Sequence, residues 1–251
     1  MTCLRAARAG RLAALLLLPG LTVAAGLNDT GVTQCADDSS NDLPCNNSPI
    51  FPRQDAETGR DAQAGLQKAG GGSAGFDFTK LDSSGTPLDA SETSWDCVRD
   101  NVTGLIWEIK TDDNGLRDKD WTYTWYNPNP ATNGGDAGST GGATCGGFLS
   151  NQCNTQAYAA AVNALNPKLC GFNDWRLPTR EELRTIVDYS TANPPAIATS
   201  YFPRTVSGWY WSASPYAPGT GSAWRVFFND GHDNATGKGS SSGAVRLVRG
   251  G

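Results

Sequence analysis

Two serines have the spacing that hydrolases use for a catalytic nucleophile. Gly71–Gly75 and Gly239–Gly243 both fit G-x-S-x-G, with Ser73 and Ser241 at their centres. The motif functions where it joins a buried strand to a helix, and both copies here lie in small, polar, glycine-rich sequence. The one histidine, His232, lies in the turn-like run NDGHDNATG. We therefore predict flexible loops, no catalytic residues and no enzyme activity, and keep an exported hydrolase as the alternative.

An acidic cluster surrounds Gly115. Its members are Asp112, Asp113, Asp118 and Asp120. Hard cations such as calcium prefer several carboxylates, but the spacing is not that of an EF-hand loop. Zinc is disfavoured because the sequence has no CxxC pair and a single histidine. We interpret the cluster as a solvated turn and predict no metal and no cofactor.

Aromatic residues give the better indication of binding. Successive side chains of an extended segment point to opposite faces, so runs such as Trp209–Trp211 must expose some of their rings. Exposed rings can stack on sugars or contact a protein, and a neighbouring arginine adds hydrogen bonds. The predicted ligand-binding residues are Trp125, Tyr126, Trp209, Trp211, Tyr216 and Arg225.

The segment that positions the second half of the chain is Gly171–Val187, GFNDWRLPTREELRTIV. A threonine and a glutamate three residues later predict a reciprocal capping box, which satisfies two backbone donors at a helix start. Leu183, Ile186 and Val187 follow at helical spacing and predict a buried face. The predicted structural motif consists of Asp174, Trp175, Arg176, Pro178, Thr179 and Glu182.

The remaining pattern predicts short strands and one more helix. Apolar runs at Trp95–Val98 and Leu105–Ile109 flank a turn and indicate a β-hairpin. A helical face runs from Asn154 to Asn166. Further strands are predicted at Trp121–Trp125, Tyr210–Ala213, Ala223–Phe228 and Ala244–Arg249. Because turn-rich segments separate these strands, we predict an α+β fold of short antiparallel strands with two inserted helices.

Composition divides the chain into three parts. Residues 1–25 combine three arginines, an apolar run and small residues, as secretory signal peptides do. Residues 26–93 form a polar arm with too little apolar surface for its own core. Residues 94–251 form the folded domain. We predict a secreted protein, located in the periplasm, outside the cell or on a bacterial cell surface, with no transmembrane segment after signal cleavage.

Six cysteines follow the signal peptide, an even number that indicates three disulfides in an exported chain. Sequence alone allows 15 pairings of six cysteines. Loop sizes favour the local pairs Cys35–Cys45 and Cys145–Cys153, which leaves Cys97 for Cys170.

Charge limits the class of partner. Residues 1–25 account for three of the 20 basic residues and none of the 25 acidic ones, so the remainder carries a net charge of −8. An acidic surface repels nucleic acid and other polyanions. We predict no nucleic-acid partner, weak binding to heparin-like chains, and a neutral ligand if the ligand is a glycan.

Several motifs resemble those of the Lcl C-terminal domain family of bacterial exported proteins. They are CVRDNVTGLIWE, DWRLPTREEL, YWSASPY, AWRVFFNDG and VRLVR, and they cover residues 95 to 249. RLPTREEL is also similar to the RLPTEAEWE motif of formylglycine-generating enzymes, which implies a C-type-lectin-like fold. Those enzymes use a cysteine pair near the C-terminus, and no cysteine follows Cys170 here.

The resemblance implies an adhesion and carbohydrate-binding role, because the name-giving member is a collagen-like adhesin associated with sulfated glycans. This chain has no Gly-X-Y repeat, so the stalk of that adhesin is missing. We predict a secreted or surface binding module that recognises a glycan or an envelope partner through loops on a lectin-like scaffold. A structural envelope protein without a small ligand is the further alternative.

Overall fold

A computed structural model describes residues 28–45 and 51–250. The proposed signal peptide lies outside the described residues. The helices are α1 (Asp55–Thr58), α2 (Thr155–Asn163) and α3 (Arg180–Arg184), and a 3-10 turn spans Leu169–Gly171. The strands are β1 (Phe78–Leu81), β2 (Cys97–Asp100), β3 (Ile106–Glu108), β4 (Trp209–Pro215), β5 (Ser222–Phe227), β6 (Asp233–Gly237) and β7 (Val248–Arg249).

One sheet contains four antiparallel strands in the order β1-β2-β3-β7. The predicted hairpin is confirmed: β2 and β3 pair Val98 with Trp107 across a turn. The polar arm contributes the edge strand β1, in which Phe78 pairs with Asp100. Phe78 is buried, so the arm anchors itself by apolar contact although it has no core of its own.

The second sheet contains three antiparallel strands in the order β4-β5-β6. The sequence pattern predicted the first two strands but missed β6, whose residues DNATG have no apolar alternation. This strand forms an edge of the sheet and does not contribute to the apolar core, so its sequence carries little strand signal. The predicted strand Ala244–Arg249 is reduced to the two residues of β7.

The predicted strand Trp121–Trp125 is wrong as a regular strand. Its backbone is held by bonds to several different segments: Tyr123 pairs with Gly243, and Thr124 donates to Cys153. Trp125 donates to Lys238. Tyr123, Thr124 and Trp125 are all buried, so the alternation of residue types reflects neither alternating exposure nor a continuous partner strand.

The helix α3 begins as predicted. The Thr179 side chain accepts from the Glu182 backbone N–H, and the Glu182 carboxylate accepts from the Thr179 N–H. Trp175 is buried just before the helix start. The helix α2 begins after the N-cap Asn154 as expected, but it ends at Asn163 rather than Asn166.

The three predicted disulfides are confirmed. Cys35 bonds Cys45, Cys145 bonds Cys153, and Cys97 bonds Cys170. The last bridge has a sequence separation of 73 residues and joins β2 to the turn that precedes α3. The protein is thus a small mixed α/β structure with two antiparallel sheets and three disulfides. Within the described residues, no helix is long and apolar enough to cross a membrane.

Candidate functional site

A groove with a volume of about 570 Å³ lies beside α2. Its walls come from α2, from residues 125–132, from residues 175–179 and from Ala213 of β4. We call it the α2 groove. Hydrogen bonds between neighbouring segments hold the walls of the groove together. Asn163 of α2 exchanges hydrogen bonds of 2.8 Å with both backbone groups of Trp175, and the Ala213 N–H donates to the Pro178 carbonyl at 2.6 Å.

The floor of the groove is apolar and rigid. Trp125 and Trp175 are only 1 % and 2 % exposed. The Trp125 Nε1–H donates to the Ser212 carbonyl at 2.9 Å, so its ring has one fixed orientation. Ala159 and Ala160 of α2 line the same groove. Their methyl groups leave the space that a longer side chain would fill.

The rim of the groove carries neutral polar groups. Tyr126 is half-buried, and its backbone N–H and carbonyl are both bound by the Thr155 hydroxyl at 3.0 Å. Asn127 donates from Nδ2 to the Thr132 hydroxyl at 2.9 Å. Gln156 is exposed, and its amide makes no hydrogen bond within residues 28–45 and 51–250. The rim therefore offers hydroxyl and amide groups to a ligand.

Arg176 is the charged residue of the groove lining. Its guanidinium binds Glu182 through two hydrogen bonds of 2.8 and 2.7 Å and donates to the Gly250 carbonyl at 2.8 Å. Although burial opposes the effect, these bonds hold the pKa of Glu182 below its usual range. The positive charge at the groove is thus balanced by a permanent negative charge.

The structure does not gather all the predicted ligand-binding residues. Trp125 and Tyr126 line the α2 groove, and the other four do not. Trp125 is only 1 % exposed, so its ring supports the groove and offers almost no surface to a ligand. Trp211 is fully buried and donates from Nε1 to the Tyr123 carbonyl, so its ring is not available to a ligand. Tyr216 is half-buried and packs its ring edge-on against Trp224.

The last two of these residues form a separate cluster. Trp209 stacks on Phe227 with ring centroids 4.6 Å apart, and the Arg225 guanidinium lies 4.0 Å from the Trp209 ring centroid. The sequence pattern missed the groove residues Asn127, Gln156, Ala159 and Ala160. The available signal was the alanine-rich run AYAAA on a helix whose exposed face carries a glutamine.

The hydrolase motifs are placed apart from one another. The Ser73 hydroxyl donates to Asp188 at 3.3 Å, and the Ser241 hydroxyl bonds Thr236 at 3.0 Å. His232 bonds Asp230 at 2.5 Å. Among the described residues, no serine hydroxyl is hydrogen-bonded to the histidine.

Neighbouring groups partly offset the charge of the acidic turn. Lys119 pairs with Asp112 at 3.1 Å and with Asp120 at 2.8 Å. Asp118 accepts three backbone N–H groups, which hold its pKa below the usual range against the opposing effect of burial. Carboxylate oxygens of Asp112, Asp118 and Asp120 also lie within 4.8 Å of one another, so the turn is one of two carboxylate groups in the described residues with a spacing that could hold a cation.

A second group of three carboxylates lies in the arm. Its ligand-capable atoms, from Asp29, Asp55 and Asp61, lie within 4.8 Å of one another. Burial and the neighbouring Asp29 charge raise the pKa of Asp61.

Charged groups are also buried between the sheets and α2, and the sequence pattern did not predict this burial. The Glu108 carboxylate accepts from the Tyr158 hydroxyl, and Lys110 donates to that hydroxyl at 2.8 Å. Arg246 donates to the Glu108 carbonyl at 2.6 Å and is fully buried. Burial lowers the pKa of Lys110 to about 8. These groups join β3 to α2 and are structural.

The described features define a disulfide-bonded, two-sheet protein with a mainly neutral surface groove. The family model of the Lcl C-terminal domain matches residues 96–249 of the sequence. The chain therefore belongs to the Lcl C-terminal domain family. No curated protein and no solved structure matches it.

Proposed function

We propose that the protein is a secreted or cell-surface binding module that recognises a neutral glycan through the α2 groove. The observation that supports this proposal is the combination of an apolar floor with a rim of amides and hydroxyls. The groove's one charged side chain, Arg176, is already bound to Glu182. In this proposal the protein has a C-type-lectin-like scaffold, and loops on that scaffold carry binding residues.

A neutral sugar matches the groove chemically. Pyranose rings have an apolar C–H face, which packs against aromatic and alkyl groups. Here the half-buried Tyr126 ring and the exposed Ala160 methyl group provide that surface, and the buried Trp125 and Trp175 rings support it from below. Their hydroxyls exchange hydrogen bonds with amides such as Gln156 and with the Tyr126 hydroxyl. An anionic ligand gains little here, because the Arg176 charge is neutralised and the rest of the lining is uncharged.

The disulfides support export and therefore an extracellular ligand. Three disulfides persist in oxidising compartments, which include the bacterial periplasm and the cell surface. Envelope glycans and host glycans are both present in such compartments, and an adhesive role follows if the glycan belongs to another cell.

The experiment is calorimetric titration of the oxidised protein with cellobiose, lactose and diacetylchitobiose. We expect at least one of these to bind, and Gln156→Ala and Tyr126→Ala each to weaken that binding roughly tenfold. Loss of one hydrogen bond or one ring contact is worth about 1 kcal/mol or somewhat more. The matched control is Phe148→Ala, which removes an exposed ring (51 % exposed) that does not line the groove.

Product analysis of the same samples separates the binding module from the hydrolase. Release of monosaccharides over hours, abolished by a groove variant, would favour the enzyme. Failure of all three sugars to bind would overturn the proposal for the α2 groove.

A further inference from the structure

Half-buried arginines lie over aromatic rings at three places in the described residues. Two of them are paired with carboxylates. Arg180 lies 4.4 Å above the Trp224 ring and bonds Glu181 at 2.8 Å. Arg249 lies 4.0 Å above the Phe172 ring. It bonds the Asp174 carboxylate at 2.8 and 3.0 Å.

Arg225 is the third, and it has no such partner. Its guanidinium lies 4.0 Å above the Trp209 ring, and no carboxylate lies within salt-bridge distance among the described residues. Its Nε–H is buried without an acceptor. The two terminal nitrogens are not buried and make no hydrogen bond in the described part of the chain. Burial alone lowers the pKa of this side chain.

A partly desolvated cation without an anion is costly, because water reaches only part of the guanidinium and no counter-charge replaces the water that is lost. The same chain supplies acids to Arg180 and Arg249, so of the three half-buried arginines that lie over rings in the described residues, Arg225 alone has no carboxylate partner. A ligand that brings an anion recovers this energy.

The surroundings of Arg225 define the shape of that ligand. Trp209 stacks on Phe227 and lies under the guanidinium, so a ligand meets the edge of the arginine and not the indole face. Asn234 of β6 lies directly opposite Arg225 of β5 and is exposed. Its amide makes no hydrogen bond within residues 28–45 and 51–250. A fixed cation thus lies beside a free amide.

We infer that Arg225 and Asn234 form a subsite for the carboxylate of an acidic sugar. The planar guanidinium binds both oxygens of one carboxylate, and the amide bonds a hydroxyl of the same sugar ring. One unpaired arginine accommodates one carboxylate and is insufficient for a polyanion. This subsite shares no residue with the α2 groove, so a test of the subsite is independent of the function proposed for the groove.

The probe is glucuronic acid, titrated into the full-length oxidised protein beside glucose and the methyl ester of glucuronic acid. We expect glucuronate to bind and the two neutral sugars to bind at least tenfold more weakly. Arg225→Gln should lose at least tenfold in glucuronate affinity, and Asn234→Ala about threefold to tenfold. Gln156→Ala, in the groove, should leave glucuronate affinity unchanged.

Two further variants keep the test decisive if Arg225→Gln unfolds the sheet. Arg225→Lys keeps the charge but loses the planar fork, and it should fold and still lose several-fold in affinity. Arg99→Gln removes another half-buried arginine that has no carboxylate partner among the described residues, and it should bind glucuronate like the wild type. Unchanged binding in both Arg225 variants, or equal binding of glucose, would overturn the inference. Equal binding of an acetylated peptide through its C-terminal carboxylate would replace the sugar by a peptide.

Discussion

Arg176 and Glu182 form a bidentate ion pair, with Nη1 at 2.8 Å from Oε2 and Nη2 at 2.7 Å from Oε1. The same carboxylate accepts the Thr179 backbone N–H at 2.7 Å. One glutamate therefore completes the capping box of α3 and balances the charge at the α2 groove. Helix start and groove electrostatics depend on the same side chain.

Replacing Glu182 tests this double role. We expect Glu182→Ala to lower the free energy of unfolding by about 1–2 kcal/mol, the sum of a lost cap and a partly exposed ion pair. Glu182→Gln keeps the capping geometry and should cost less than half as much. Glu181→Ala is the matched control, because Glu181 is exposed and pairs with Arg180 on the outer side. The free energies of unfolding of the three variants are measured in denaturant. Equal losses of stability for Glu182→Ala and Glu181→Ala would contradict the double role of Glu182.

Trp175 should be among the most destabilising sites in the chain. It is buried, and its Nε1–H donates to Leu169 at 3.3 Å. We expect Trp175→Ala to cost roughly 3–5 kcal/mol, as truncation of a buried tryptophan does. Phe148→Ala, at an exposed ring, should stay within about 0.5 kcal/mol of the wild type. Melting temperatures of the two variants within a degree or two of each other would show that Trp175 does not anchor the central segment.

The long-range disulfide should contribute more stability than the local one. Cys97–Cys170 has a sequence separation of 73, whereas Cys145–Cys153 has a separation of 8. Chain entropy predicts a loss of about 4 kcal/mol for the double serine variant of the first pair and roughly 2.5 kcal/mol for the second. Unfolding of the two double variants in urea gives the comparison. A larger loss from opening the local pair would contradict the loop-entropy account.

Local chemistry explains why parts of this fold were predictable. The capping box of α3 depends on Thr179 and Glu182, three residues apart, so it is visible in sequence. The disulfides followed from loop lengths between an even set of cysteines. The hairpin β2–β3 followed from two apolar runs around a short turn.

The rest required tertiary information. The α2 groove combines Trp125, Gln156, Arg176 and Ala213, which are distant in sequence and adjacent only after folding. Glu108 and Arg246 carry charges that normally indicate surface, but both are buried with polar partners: Glu108 pairs with Lys110, and Arg246 donates to the Glu108 carbonyl and to the Thr205 hydroxyl. The exposure of the aromatic residues depended on strand register, which the sequence does not define.

Lys110 gives the protein a stability that rises with pH. Its pKa is about 8 in the folded state, where burial opposes the charge, against 10.5 for an unperturbed lysine. Between these values the unfolded chain holds a proton that the folded chain lacks, so unfolding becomes less favourable as pH rises. The gain should approach roughly 1 kcal/mol per pH unit from pH 8 to 9.5.

The comparison for this prediction is Lys110→Met, measured by urea unfolding from pH 7 to 9.5. Its stability should increase less steeply with pH than that of the wild type. The groups facing Lys110 are Glu108, Tyr158, Arg246 and Arg117. Burial raises the pKa of Tyr158 and Tyr123, which reverses the slope above about pH 10, because the tyrosines of the unfolded chain ionise first. Lys119→Met serves as a control, since carboxylate partners raise the pKa of Lys119.

Heparin-like chains should bind weakly. Beyond residues 1–25 the net charge is −8, which repels a polyanion at long range. Most arginines are unavailable to a polyanion, because Arg246 is buried and carboxylates pair with Arg117, Arg176, Arg180, Arg184 and Arg249.

The affinity of a protein for a polyanion depends on the number of contacts with its anionic groups and falls steeply as the salt concentration rises. We expect elution from a heparin column at or below about 0.3 M salt, where a few contacts are screened. Arg225→Gln should shift this elution only slightly, since one contact is lost. Retention well above that salt concentration would show a basic surface that the paired arginines do not provide, and would favour a sulfated ligand over a neutral one.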